Sequence, residues 1–219
     1  MHQNIKLQHG TERKKKGWLR HICVRYGYKT GEAILTLVAI NEKLSKSQDF
    51  ASEVMKRHPE LVGVCLNINT GTTNVIYGPI TKILKGRDYI FEKVNEIKYK
   101  VSATSFFQIN TVQAERMLKI INEFICRDAP TGRLNNTILD AYCGSGFIAL
   151  ALAKNAKKVI GIEEIKPAIE DARFSARENK INNVSFIHGK VENKISEVLE
   201  REKPEIIILD PPQIGRAHV

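Results

Sequence analysis

Cysteine is sparse and scattered. The four residues Cys23, Cys65, Cys126 and Cys143 form no C-x-x-C pair, so neither a disulfide framework nor a zinc site is indicated, and no metal is expected. No apolar run approaches the roughly 20 residues that span a bilayer, and Met1-His2-Gln3-Asn4 does not begin the apolar core of a signal peptide. A monomeric, cytoplasmic chain without a membrane partner is the expectation. Repeats and low-complexity tracts are also missing, which sets aside solenoid and fibrous architectures.

What is present favours a folded chain: 219 residues with 42% hydrophobic content can bury a core and build one or two domains. The net charge of +10 is unevenly placed. Residues 1–100 hold 18 Lys and Arg against 9 Asp and Glu, whereas residues 101–219 hold 16 against 15. A basic front part attracts polyanions through counterion release and long-range steering. Arg13, Lys14, Lys15 and Lys16, followed by Trp18 and Arg20, read equally as a run that tracks phosphates and as a solvated loop before a strand.

Residues 19–26 (LRHICVRY) and 32–40 (EAILTLVAI) are β-rich runs around Gly27 and Gly31, the pattern of a hairpin. Residues 47–57 have helical spacing that stops at His58-Pro59. Residues 61–68, 74–77, 89–91 and 96–101 read as short strands punctuated by Gly71, Gly78-Pro79 and Gly86. Together these predict a small, basic α+β domain over 1–101. From Asn110 the period becomes helical, with Ala114, Met117, Leu118, Ile121, Phe124 and Ile125 marking one buried face. After Pro130-Thr131-Gly132, strands over 138–141, 159–163, 184–188 and 206–209 alternate with helices over 147–155, 167–179 and 192–202. Such alternation, with a continuous apolar strand in Ile206-Ile207-Ile208-Leu209, implies a parallel sheet covered on both faces. Residues 102–219 are thus expected to form an α/β, Rossmann-like domain with an incomplete set of about four parallel strands.

Asp140-Ala141-Tyr142-Cys143-Gly144-Ser145-Gly146 falls where the first of those strands meets its helix, and Ala149 completes G-x-G-x-x-A. Gly144 and Gly146 let the backbone pass close beneath a cofactor, and the helix start offers free N–H groups. Glu163 ends the second strand, where it can accept hydrogen bonds from ribose hydroxyls. Together these point to an adenosine-containing cofactor. Two cofactors compete, NAD and S-adenosylmethionine (SAM), and Asp140 helps to separate them: a carboxylate suits the pyrophosphate of NAD poorly but suits the amino group of SAM, which is favoured once the Asp-Pro-Pro motif downstream is included. Asp210-Pro211-Pro212 follows the fourth strand, at the sheet edge where ligands bind, and its prolines fix a turn that aims the carboxylate. Cys143 lies near a helix start, where a thiol can be activated, but its loop position is read as facing the cofactor. Cys23, Cys65 and Cys126 read as core.

These residues resemble the RNA (uracil-5-)-methyltransferases. The resemblance runs from about Gly17 to Pro212. It rests on Leu19-Arg20-His21, on Ser105-Phe106-Phe107-Gln108-Ile109-Asn110, on 139–146, on Val159-Ile160-Gly161-Ile162-Glu163, and on Asp210-Pro211-Pro212. The Ser-Phe-Phe-Gln-x-Asn segment discriminates, since other SAM enzymes share the rest. The resemblance implies SAM contacts from Gln108, Tyr142, Glu163 and Asp210, with Asp210 also near the target base. Phe106 and Phe107 either wall the pocket that receives a flipped base or pack as ordinary core aromatics. The implied reaction is SAM-dependent methylation of uridine C5 in RNA, with 23S ribosomal RNA favoured over transfer RNA. In that family a cysteine thiolate adds to uracil C6, C5 attacks the sulfonium methyl group, and a base then removes the C5 proton as the thiolate leaves C6.

The family's cysteine and basic glutamate lie beyond the Asp-Pro-Pro motif, so residues 1–219 are expected not to turn over. The family's N-terminal β-barrel module is expected to precede the present start, and the four-cysteine iron–sulfur site of some relatives, which depends on cysteines N-terminal to that start, is not expected within these residues. Gln213 stands where the family usually has Arg. Ile214-Gly215-Arg216-Ala217-His218-Val219 matches the translation of a common sequencing adapter, so 213–219 is expected to be an artefactual tail. Two other readings stay open: a SAM enzyme acting on a base nitrogen, whose motif normally continues with an aromatic residue and not with Gln213, and a non-catalytic RNA-binding remnant.

Overall fold

The computed structural model describes residues 17–43, 46–71, 75–108, 110–127 and 136–211. The basic run at 13–16, Ile109, Pro212 and the tail at 213–219 lie outside the described residues. The chain divides into two compact units, Met1–Glu92 with Ser102–Thr104, and Lys93–Val101 with Ser105–Val219.

In the first unit, β1 (Leu19–Tyr26) and β2 (Ala33–Ala39) form the expected hairpin. Its turn closes through the N–H of Gly27, which donates to the Glu32 carbonyl at 2.8 Å, and Gly31 takes φ +70°, a conformation glycine adopts without a Cβ penalty. Helix α1 (Ser47–Arg57) then crosses over to β3 (Leu61–Ile68), which pairs parallel to β2. The helix seals one face of the sheet, where Leu35, Leu37, Ala39, Ala51, Val64 and Leu66 are buried together.

The strand expected at 74–77 does not form in its described part, 75–77. Two asparagines account for this. Asn69 Nδ2 donates to the carbonyls of Val75 and Ile76, both at 2.8 Å, and Asn67 exchanges hydrogen bonds with both backbone groups of Gly78. Backbone groups satisfied by side chains have no need of a strand partner. The fourth strand is instead β4 (Ile80–Gly86), antiparallel to β3 at the sheet edge. Its almost continuously exposed residues give no period-two signal, which is why the sequence hid it.

The ribbon of β5 (Tyr89–Val94) and β6 (Ile97–Ser102) carries the chain into the second unit. There α2 (Thr111–Cys126) starts at Asn110, whose side chain accepts from the Gln113 N–H at 3.0 Å and so caps the helix. The expected alternation follows: β7 (Thr137–Ala141), α3 (Phe147–Ala153), β8 (Lys158–Glu163), α4 (Lys166–Glu178), β9 (Val184–His188), α5 (Val191–Glu202) and β10 (Ile206–Leu209). The four strands are parallel in the order β10-β7-β8-β9. Leu139, Ala141, Ile160 and Ile162 pack on α5 across one face, and α3 and α4 pack on β8 and β9.

Three expectations of burial are corrected. On α2 only Thr111, Ala114 and Leu118 are buried; Met117, Ile121 and Ile125 are half-buried, and Phe124 is 72% exposed beneath the Arg127 guanidinium. Helical spacing marks a face but not how far its neighbours extend. β10 ends the described sheet, and its Ile207 and Leu209 are exposed, so among the described residues it is not covered on both faces. Cys65 is buried, but Cys23, on edge strand β1, and Cys126, in the last turn of α2, are only half-buried.

Candidate functional site

The strand register sets the site. Leu209 pairs with Ala141 and Ala141 with Ile162, so the next residues, Asp210, Tyr142 and Glu163, stand at one level at the carboxyl ends of their strands, Glu163 still paired with His188. The chain reaches β10 only after crossing from β9 past β8 and β7, so β7 and β10 flank the point where strand order reverses. In open α/β sheets that is where ligands bind. A cleft of about 620 Å³ opens there.

Asp140 forms its floor. The carboxyl group is 1% exposed; Oδ2 accepts from the Ala149 N–H at 2.9 Å, while Oδ1 is buried without a partner. Burial, reinforced by the charges of Asp210 and Glu163, pushes its pKa up to about 7. Glu163 braces the loop above: Oε2 accepts from the Gly144 N–H at 3.1 Å and Oε1 from the Ile165 N–H at 2.8 Å. A carboxylate has about four acceptor positions, so both oxygens keep capacity for a further donor.

Tyr142 adopts φ 65°, a left-handed conformation uncommon for a residue with a Cβ. Its hydroxyl donates to Glu192 at 2.7 Å at the start of α5. The two glycines that follow differ in their reason. At Gly144, with φ +54°, a Cβ would meet nothing within 4 Å, so its backbone borders open space; at Gly146, with φ +79°, a Cβ would press on Phe186 and Ala172. Gly144 lines the cleft, and Gly146 caps α3 behind it.

The Ser-Phe-Phe-Gln segment supplies the opposite wall. Phe106, Phe107 and Gln108 all line the cleft, but the two rings part company. Phe107 is 8% exposed and packs with Tyr99 and Phe147 at centroid distances of 5.5 Å, whereas Phe106 is 70% exposed. Core packing therefore describes Phe107, and only Phe106 presents an open face. Cys143 is buried against the cleft, and desolvation, with Asp140 and Glu163 nearby, raises its thiol pKa well above the ordinary value. A thiol so placed stays protonated and inert.

Of the residues singled out from sequence, Phe106, Phe107, Gln108, Asp140, Tyr142, Gly144, Glu163 and Asp210 converge on this one cleft, and Gly146 stands behind it. Sequence reasoning gave no site role to Phe147, Ile148, Glu164 or Ile165, and quoted Ser145 only as part of the glycine motif. Ile165 is a half-exposed apolar residue that overhangs the cleft at the start of α4, and its signal was an isoleucine two residues beyond the acidic strand end. Among the described residues no cluster of His, Cys, Asp and Glu could hold a metal ion, and no helix is long and apolar enough to cross a membrane.

A profile of the tRNA (Uracil-5-)-methyltransferase family matches residues 46–209. The chain is 38% identical over 205 residues to an uncharacterized RNA methyltransferase of Enterococcus faecalis, and 39% over 204 residues to one of Gloeobacter violaceus. Both alignments cover 93% of this chain but 44% and 43% of the relatives, so the chain spans less than half their length. Pyrococcus abyssi tRNA (uracil-54, C5)-methyltransferase, solved in complex with S-adenosyl-L-homocysteine, is similar with a TM-score of 0.71 at 25% identity, over 93% of this chain and 46% of that one. The M. jannaschii tRNA m1G37 methyltransferase shares the fold at 19% identity and a TM-score of 0.51, over 93% of this chain and 57% of that one.

Proposed function

Because the chain belongs to the tRNA (uracil-5-)-methyltransferase family, we propose that its cleft binds SAM and that the protein carrying it methylates C5 of a uridine in RNA. The observation that carries this reading is the convergence of Asp140, Gly144, Glu163, Gln108 and Asp210 on one cleft at the switch point of the parallel sheet.

The residues fit the cofactor on three counts. Asp140 Oδ1, buried and unpaired, is an acceptor waiting for a donor, and the amino group of SAM is one. The open space at Gly144 is what a close-lying ligand needs. Glu163, braced by two backbone N–H groups, has the remaining capacity to accept from a ribose hydroxyl. Bound SAM supplies an electrophilic sulfonium methyl group. Gln108 and Tyr142 orient the cofactor from opposite walls, Ile165 offers an apolar surface to a flat ring, and Asp210 sits where cofactor and base would meet. Phe106, not Phe107, is the aromatic face offered to a flipped uracil. Cys143 is unsuited to be the thiolate that adds to uracil C6, because its surroundings hold it protonated. The covalent cysteine–uracil route remains the proposed chemistry of the whole protein, from the family resemblance.

The excess of Lys and Arg in residues 1–100 suits an RNA partner. From the resemblance alone we propose 23S ribosomal RNA as the substrate ahead of transfer RNA, the substrate in the names of the matched family and of the Pyrococcus abyssi enzyme. Nucleoside mass spectrometry of both RNAs, from cells with and without the gene, tests this: one 5-methyluridine is expected to disappear from 23S RNA. Its loss from transfer RNA would move the assignment, and no change in either RNA would overturn the activity.

A further inference from the structure

Ser105 opens the Ser-Phe-Phe-Gln segment, and its buried hydroxyl donates to Asp171 Oδ2 at 2.9 Å. Asp171 lies on α4 and has no solvent exposure. Lys100 on β6 answers its charge, with Nζ 2.9 Å from Oδ1. The Lys100 backbone N–H donates to Ser175 Oγ at 2.9 Å, and the Ser175 hydroxyl donates to the Asp171 carbonyl at 2.8 Å. One buried carboxylate thus ties together β6, α4 and the residue before Phe106. Neither Ser105 nor Asp171 lines the cleft.

Stability alone is a poor reason for such an arrangement, since apolar residues of similar volume usually do as well as a buried ion pair. What the pair adds is direction: a charge-assisted hydrogen bond fixes the hydroxyl it holds. Downstream of Ser105 the chain is pinned twice more. The Phe106 carbonyl accepts from Ser145 Oγ at 3.5 Å, and the Phe107 ring is wedged between Tyr99 and Phe147. Three consecutive residues are fixed by three different contacts, and Gln108 follows at the cleft wall. The α4 helix that holds Asp171 also begins just beyond Glu163, so the element that anchors Ser105 is the one that follows the acidic strand end.

We propose that Asp171 and Ser105 are positioning residues for the cofactor site: Asp171, neutralised by Lys100, holds Ser105 and thereby sets Gln108 and Phe106 against the cleft. This rests on the reading of the cleft as the SAM site, and it adds a role to residues that touch neither cofactor nor base.

The test uses residues 1–219 with Ser105→Ala, Ser105→Thr and Gln108→Ala, and S-adenosylhomocysteine as the probe. Ser105→Ala removes one oxygen and leaves the Asp171–Lys100 pair in place, so the fold is retained. In the cofactor-free chain, amides of residues 106–108 are expected to exchange with solvent about tenfold faster in Ser105→Ala, with Ser105→Thr close to the parent. By calorimetry the Kd for S-adenosylhomocysteine is expected to rise roughly five- to tenfold in Ser105→Ala. In a Gln108→Ala background the same change is expected to add less than about twofold, because the residue it positions is gone. A merely structural role gives the same increment in both backgrounds, and that result, or unchanged exchange at 106–108, overturns the proposal. If the parent chain binds no S-adenosylhomocysteine, the cofactor reading fails. The exchange arm then still decides whether Asp171 and Ser105 anchor the segment.

Discussion

At neutral pH Asp140 sits near the midpoint of its own titration. Its pKa, pushed up to about 7 by burial, exceeds the roughly 3.9 of an unfolded Asp, so folding favours the protonated form. Its contribution to stability is full below the ordinary carboxylate range and is lost as pH rises from about 4 through about 7. Asp140→Asn, which can still accept from Ala149, is therefore expected to melt above the parent chain at pH 8 and to lose that advantage towards pH 4, as differential scanning calorimetry would show. The same variant is expected to bind S-adenosylhomocysteine at least tenfold more weakly at pH 8, since an amide offers no charge to an amino group. For the parent chain, affinity is expected to climb as pH rises through 7; a flat profile would contradict the role given to Asp140. The two phenylalanines split in the opposite sense. Phe107→Ala is expected to cost about 3–5 kcal/mol and Phe106→Ala less than about 0.5 kcal/mol in urea unfolding, with Phe106→Ala impairing methylation in the whole protein. Asp140, Gly144 and Glu163 were legible in the sequence because strand-end chemistry has a fixed place in a parallel sheet. The division between Phe106 and Phe107 was not, because it depends on where the chain turns after Ser105 and on rings from Tyr99 and Phe147, far apart in sequence.

Among the elements, β7 to β10 were read with errors of a residue or less, since each is a short β-rich run in a regular strand–helix alternation, although only β7 and β8 are mostly buried. The loop before β4 left none. Asn67 is buried and donates to Gly78, Ile80 and Thr81 while accepting from Gly78. Asn67→Ala strands those groups and is expected to cost at least about 2 kcal/mol, readable in the thermal melt of the chain. An asparagine standing in for a strand partner has no period, so hydropathy could not reveal it. The overread face of α2 is the converse case: Phe124 keeps helical spacing, yet it is 72% exposed, with the Arg127 guanidinium over its ring.

For the molecule as a whole, β10 matters most. It carries Asp210 to the cleft and also ends the described sheet, with Leu209 62% exposed on its edge. Open apolar edges template association, so residues 1–219 are expected to aggregate at modest concentration, and Leu209→Lys to delay it in light scattering. The charge asymmetry lies at this scale as well: the first hundred residues carry nearly all of the net +10, and the cofactor cleft lies in the other, near-neutral part. The excess positive charge and the cleft thus lie in different stretches of the sequence. The direct test of the central claim is calorimetry of residues 1–219 with S-adenosylhomocysteine, beside a Glu163→Ala variant whose fold is checked by its melt. Binding that weakens at least tenfold in the variant is the predicted result. No binding by the parent, or binding indifferent to Glu163, would contradict the account.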